Sequence, residues 1–301
     1  MKKLSRVLFV IWLFILSMLP CGIVYSTRSI DTDINEAAIK NVCQAIGQNY
    51  KRKDSTIRIA TYNLLADGIG FYGSRSDLRA EGTVDLLCNV DADVIGLQEV
   101  SRWWFCNIKS NTQYAFIDPL RTEIGGFMTV VAYKPQRVEV LEYGNIALEK
   151  GSNNRLRRIV WGLFRYKSTR EVFLVVNTHF NVMQSDSTSG LVQARQLTDH
   201  VRRLNKKYNC PVVVTGDFNS KKRGAVSYCT SVVYDVLNLK MTDLRYSAVS
   251  KSCGNGKGLF GNSVDHIFAV GGVRVMECTV LSQRELQSLS DHYLVFSDIV
   301  I

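Results

Sequence analysis

Proline is scarce, with four residues in 301, and no low-complexity tract accompanies it. Little room is left for a long linker. No internal repeat is visible, which excludes solenoids and propellers. The eight cysteines contain no Cys-x-x-Cys pair, which argues against a zinc ribbon or a thioredoxin-type redox centre. There is also no Gly-x-Ser-x-Gly elbow and no P-loop, so nothing prepares a serine nucleophile or cradles a nucleotide in that manner.

What is present suits a globular domain. Hydrophobic residues make up 46% and charged residues 21%, ordinary values for a chain with a proper core. The formal charge is +10. A basic protein meets anionic partners readily, among them nucleic acid, anionic lipid and acidic glycans. A solvated basic surface with no single partner is the alternative.

The first 26 residues have the layout of a secretory signal peptide. Lys2, Lys3 and Arg6 form a basic segment, Val7 to Leu19 is apolar apart from Ser17, and Val24-Tyr25-Ser26 offers a small-residue cut. The apolar run is short for a membrane span, which needs about 20 residues. If it is not cleaved, it becomes an N-terminal membrane anchor. Losing its three basic residues takes the charge from +10 to +7. Export makes the protein secreted or extracytoplasmic and permits disulfides, but the pairs cannot be assigned. Several cysteines are expected simply to fill core positions, Cys88 foremost.

Residues 27–55 read as an N-terminal arm with a short helix near Ile34–Ile46. Residues 56–301 read as one domain. Alternation and β-formers predict strands at Ile57–Tyr62, Asp93–Val100, Phe127–Tyr133, Val138–Tyr143, Ile159–Tyr166, Val172–His179, Val212–Thr215, Val264–Ala269, Val273–Val280 and Leu294–Ile301. Helices are predicted at Asp77–Val90, around Leu191–Leu204 and at Ala225–Leu237. Lys167–Glu171 suits a hairpin loop. Many strands with a few helices suggest two packed sheets with helices outside, an α/β domain of four layers.

Polar residues recur at the strand ends: Thr61-Tyr62-Asn63, Leu97-Gln98-Glu99, Asn177-Thr178-His179, Gly216-Asp217-Phe218-Asn219, Ser263-Val264-Asp265-His266 and Ser290-Asp291-His292. Singly each has an ordinary explanation. Asn63 could form a turn, His179 could be a satisfied core histidine, and Asp217 could cap a following segment. Together and in this order they resemble the endonuclease/exonuclease/phosphatase superfamily, and the resemblance covers residues 56–301.

The resemblance implies a deoxyribonuclease I-like four-layered α/β/β/α sandwich of two mixed, mainly antiparallel sheets. It assigns Asn63, Glu99 and Asp291 to the metal side, with Mg²⁺ the expected ion and Mn²⁺ or Ca²⁺ as alternatives. Hard oxygen ligands suit such cations. It assigns catalysis to His179, Asp217, Asn219, Asp265 and His292, with His292 oriented by Asp265. Phosphate contacts fall to His179, Asn219 and Arg158, although Arg155 and Arg157 lie close enough to confuse that arginine assignment. A solvated loop is the plainer reading of the basic cluster.

One departure concerns Ala66 to Gly73, where relatives often carry a Trp or Tyr; that puts the substrate in doubt rather than the mechanism. The expectation is an exported, monomeric, Mg²⁺-dependent phosphodiester hydrolase acting by direct attack of water, with nucleic acid as the first substrate class. The alternative is a sphingomyelinase-like enzyme working on lipid or a small phosphoester at an anionic or phospholipid membrane surface, with Trp103-Trp104-Phe105 as its apolar element. A non-catalytic binding module is disfavoured because Glu99, His179, Asp217, Asp265 and His292 are all present.

Overall fold

A computed structural model describes residues 35–53, 55–66, 76–117, 128–150, 156–181, 187–220, 231–248, 250–253 and 264–301. The leader, Arg155, the Gly125-Gly126 turn and most of the 66–73 loop lie outside them. Among the described residues no helix is long and apolar enough to cross a membrane.

In chain order the elements are α1 (Glu36–Asn49), β1 (Ile57–Asn63), α2 (Ser76–Val90), β2 (Val94–Val100), α3 (Arg102–Asn111), β3 (Ala115–Phe116), β4 (Met128–Tyr133), β5 (Val138–Ala147), β6 (Arg158–Tyr166) and β7 (Val172–His179). Then come α4 (Ser187–Tyr208), β8 (Val212–Asp217), α5 (Ser231–Asn238), β9 (Thr242–Asp243), α6 (Leu244–Ser247), β10 (Ser250–Cys253), β11 (Asp265–Val270), β12 (Arg274–Val280) and β13 (Val295–Val300).

Two sheets result. The first runs β10-β12-β13-β1-β2-β4-β3 and the second β5-β6-β7-β8-β11-β9. Parallel pairing occurs at β1/β2, β7/β8 and β10/β12, and the remaining neighbours are antiparallel. The hairpin joining β6 to β7 is as expected.

Three cores correspond to the three interfaces of a four-layered sandwich. Helices α1, α2 and α3 bury Ile39, Leu86, Leu87 and Trp104 against Tyr62, Leu97 and Phe296 of the first sheet. Helices α4 and α5 bury Leu197, Val201, Val233 and Leu237 against Val176, Val214 and Phe268 of the second. Between the sheets lie Ile57, Ile59, Val94, Phe173, Val175, Val213, Ile267 and Val295.

The period of two in a strand decides which face each residue takes. On β1 the odd positions Ile57 and Ile59 face the other sheet, so Thr61 and Asn63 do as well. The same rule turns Asn177 and His179 of β7, Thr215 and Asp217 of β8, and Asp265 of β11 inward. At the parallel β1/β2 step, Asn63 pairs with Gln98.

One pleat below the strand ends, these inward positions form a buried polar stitch. Gln98 donates to Asn177 Oδ1 (2.7 Å) and Thr61 Oγ1 (3.0 Å). Asn177 donates to the carbonyls of Leu97 and Val130, and Thr215 donates to Asn177 Oδ1. Gly96 leaves the space for it: a Cβ there would stand 2.2 Å from Thr215 Oγ1 and 2.5 Å from Asn177 Oδ1.

Two expectations need correction. Helix α1, read as lying in an N-terminal arm, puts Ile39, Cys43 and Ile46 into the first core, at the i, i+4, i+7 spacing of one helix face. Arg52 then reaches the buried Asp93 at 2.6 Å, so residues 35–53 belong to the packed domain. Cys88, expected in the core, is exposed; the buried cysteines among those described are Cys43, Cys210 and Cys278. On α2 the inward face is carried by Leu86, Leu87 and Val90, which leaves position 88 outside.

Candidate active site

The C-terminal ends of β1, β2, β7 and β8 and the start of β11 meet at one edge of the cleft between the sheets. The segment before β13 adds His292. Both sheets therefore contribute to one cluster.

Asp217 is its centre. The carboxylate is 1% exposed. Its Oδ2 accepts from Asn63 Nδ2 at 3.1 Å and lies 3.4 Å from His179 Nε2 and 3.7 Å from His292 Nε2. Its Oδ1 accepts the Asn219 amide at 2.9 Å. Burial pushes this carboxyl up to about 7, against the opposing pull of the His292 charge.

His292 places Nδ1 2.9 Å from Asp265 Oδ2. Burial alone would lower the imidazole, but the carboxylates of Asp265 and Asp217 override it and hold the group well above its ordinary range. Ser290 fixes the approach of this segment, donating to the Asn63 carbonyl at 2.7 Å and accepting the His292 amide at 3.1 Å.

His179 is oriented from behind. Arg157 Nη1 lies 2.8 Å from His179 Nδ1, and Arg157 Nε donates to Asn181. An arginine can only donate, so Nδ1 accepts and the ring proton sits on Nε2, facing Asp217. Asn219 has a left-handed φ of 48°, and its side-chain amide donates to the Phe180 carbonyl at 2.9 Å.

Glu99 stands beside this group. It lies in the β-bulge between Leu97 and Val100, with a left-handed φ of 56°. For a residue other than glycine such a backbone costs on the order of 1–3 kcal/mol and gathers at functional sites. The bulge re-aims the side chain, as bulges beside active sites do. Glu99 Oε2 accepts the Ala66 amide at 2.9 Å, and Asn63 Oδ1 accepts the preceding amide, Leu65, at 3.1 Å. Consecutive backbone amides thus bridge Asn63 to Glu99. Asp291 is half exposed and places Oδ1 3.9 Å from His292 Nε2.

The structure accordingly joins Asn63, His179, Asp217, Asn219, Asp265, Asp291 and His292 in one contact network, with Glu99 tied in through residues 65–66. Arg158 is different. Its carbonyl accepts from Thr178 Oγ1 at 3.1 Å, but its guanidinium turns to Asn145 Oδ1 at 2.7 Å on the edge strand β5. The neighbouring Arg157 is the one that reaches His179. Sequence reading also missed the roles of Ser290 and of the stitch below, although Ser290, Thr61, Gln98 and Asn177 lie inside the quoted motifs.

Among the described residues one set of ligand atoms is gathered as a cation needs. Ligand atoms of Asp217, Asp265 and His292 all lie within 4.8 Å of one another. There, however, the His292 nitrogen facing Asp265 is engaged in a hydrogen bond, as suits proton transfer. Glu99, Asn63 and Asp291 supply hard oxygens, one of them the half-exposed carboxylate of Asp291. That donor set fits Mg²⁺, which keeps several waters and takes only one or two carboxylates.

Polar strand ends from two packed sheets around an Asp–His pair define a hydrolytic centre of the phosphoesterase type. The chain belongs to the Endonuclease/Exonuclease/phosphatase family, whose profile matches residues 60–292; members of this family are phosphoric ester hydrolases. Comparison with curated proteins finds no match.

Solved structures share the fold. The mannosyl-6-phosphatase Bt3783 of Bacteroides thetaiotaomicron is similar at 22% identity and a TM-score of 0.70, over 81% of this chain and 100% of that one. The human Nocturnin catalytic domain with bound sulfate matches at 18% identity and 0.65, over 82% and 95%. TDP2 of D. rerio with single-strand DNA product matches at 18% and 0.63, over 82% and 100%.

Proposed function

We propose that this chain is an exported, Mg²⁺-dependent phosphodiester hydrolase that acts by direct attack of water, with nucleic acid as its first substrate class. One observation carries the reading: Asp217 lies between the imidazoles of His179 and His292, and Asp265 backs His292.

Asp217, with a carboxyl pushed up to about 7, accepts the proton of the attacking water; a base near neutral pH is the efficient choice. His292, held protonated between Asp265 and Asp217, gives its proton to the leaving oxygen, and the His179 Nε2–H meets the charge that grows on the phosphoryl oxygens. Asn219 lines the same edge, and Arg157 keeps His179 in the donating tautomer. A cation held by Glu99, Asn63 and Asp291 would supply Lewis-acid stabilisation of that charge. One chain supplies all these groups, which supports a monomer.

The basic charge of the chain favours an anionic polymer. The D. rerio TDP2 structure holds a DNA product, which adds support. A second reading, a phosphodiesterase acting at a lipid surface, rests on Trp103. It is 40% exposed, lies on α3 four residues after Glu99, and stands edge-on to the buried Trp104.

The test is a substrate panel with purified protein in Mg²⁺: supercoiled plasmid, single-stranded DNA, RNA, sphingomyelin vesicles and a sugar phosphomonoester. Nicking or degradation that chelator abolishes supports the first reading. Release of phosphocholine with inert nucleic acid supports the second. Cleavage of the monoester alone overturns both.

A further inference from the structure

We propose that Arg79 is a positioning residue that sets the spacing between the two loops carrying the active site, an inference that rests on the hydrolytic reading of that site. Arg79 lies on the first turn of α2 and is 1% exposed. Its Nη1 donates to the Leu64 carbonyl at 2.7 Å and the Leu289 carbonyl at 2.6 Å, and its Nη2 donates to the Leu65 carbonyl at 2.8 Å. One guanidinium therefore grips both the segment after Asn63 and the segment before Ser290.

Those two segments divide the site. Residues 64–66 lead from Asn63 to the amide that Glu99 accepts. Leu289 leads to Ser290, which is bonded to both Asn63 and His292. The distance between the Glu99 side and the His292 side is thus spanned by a planar, rigid fork whose donor geometry is fixed. Leu65 needs such a hold, since its φ of 57° is left-handed without the freedom of glycine.

The surroundings fix Arg79 in turn. Its guanidinium lies 5.2 Å from the ring of the buried Trp104, a cation–π contact. The Trp104 indole N–H adds a long bond of 3.4 Å to the same Leu65 carbonyl. One turn along α2, Gly82 lets the helix lie directly on Leu289; a Cβ there would stand 2.8 Å from Leu289 Cδ2 and 2.9 Å from Ile39 Cγ2. Arg58 offers the internal comparison. It is equally buried, but it sits at the opposite end of β1 and bonds Asp298, Val90 and Tyr50.

The experiment compares Arg79→Lys and Arg58→Lys with the parent, using bis(4-nitrophenyl) phosphate as substrate and amide hydrogen exchange on metal-free protein. A lysine keeps the charge but cannot hold three carbonyls in one plane. Arg79→Lys should lower kcat about 100-fold, the scale of a misplacement near 1 Å, while KM stays within about threefold. Exchange should accelerate selectively at residues 64–66 and 289–292. Arg58→Lys should lower the unfolding midpoint and leave the kcat of the folded protein unchanged.

A folded Arg79→Lys with parental kcat and parental exchange at those two segments overturns the proposal. So does acceleration spread evenly over the core strands. If Arg79→Lys does not fold, Trp104→Phe replaces it, expected to give a smaller kcat loss at constant KM; an unchanged kcat then overturns the proposal. A parent that cleaves none of the substrates sinks the hydrolytic reading instead, and the exchange data still decide the loop spacing.

Discussion

His292 Nδ1 lies 2.9 Å from Asp265 Oδ2, with the opposite ring nitrogen turned toward Asp217. The pair fixes which nitrogen faces the cleft. Replacing His292 by Ala should lower kcat by roughly 10²–10⁴-fold, the range for losing a positioned proton-transfer group. Asp265→Asn should fall in the same range, because an amide can donate to Nδ1 and reverse the tautomer. Steady-state kinetics and circular dichroism check both, and parental turnover in a folded His292→Ala removes that residue from the reaction.

On the proposed reading, the Glu99 side of the cleft makes activity cation-dependent. Chelation should abolish activity, and added Mg²⁺ should restore it. Glu99→Gln should raise the Mg²⁺ needed for half-maximal rate by about tenfold or more, judged from what even outer partners of a metal contribute. Full activity in chelator would count against the ion.

The stitch between the sheets makes Gly96 sensitive. Its Cβ position lies within 2.6 Å of Asn177 and Thr215 side-chain atoms. Gly96→Ala should therefore destabilise the fold by about 1–3 kcal/mol through overpacking, measured as a lower urea midpoint. A midpoint unchanged from the parent would show that the sheets can part by tenths of an ångström without cost.

Arg58 and Asp298 form a buried bidentate pair at 2.7 and 2.8 Å. Asp298→Ala strands the guanidinium and should cost about 3–5 kcal/mol. A double replacement, Arg58→Met with Asp298→Ala, should cost less than that single change. Denaturant titration decides the order.

His200 gives the fold an acid-sensitive point away from the site. Burial and then the Arg203 charge push its imidazole down to about 4. The unfolded chain, with an ordinary histidine near 6.5, binds the proton more readily. Stability from this group is thus complete above about pH 6.5 and is lost as pH falls toward 4. His200→Leu should narrow the difference between urea midpoints at pH 7 and pH 5. An identical difference in both proteins would assign the acid sensitivity elsewhere.

Most of the architecture was legible because β7 opens on a continuous run of β-forming apolar residues, read to the residue as Val172–His179, and because α4 repeats Leu197, Val201 and Leu204 on its buried face. Strand β3, two residues long, carries no period of its own and exists through pairing with β4. The acids and histidines of the site could be picked out because they stand at a strand terminus or in the segment just before one. What escaped was side-chain direction. Adjacent arginines differ by which one swings toward His179, and nothing local distinguishes Arg157 from Arg158. Arg79 was equally silent, since its partners are backbone carbonyls supplied by distant segments.

Asn63, Glu99 and His292 come from one half of the sandwich, whereas His179, Asp217 and Asp265 come from the other. Turnover therefore reports on how well the two halves remain docked. A slight, reversible parting would silence the enzyme while nearly every helix and strand survived, so loss of activity should precede loss of secondary structure as denaturant rises.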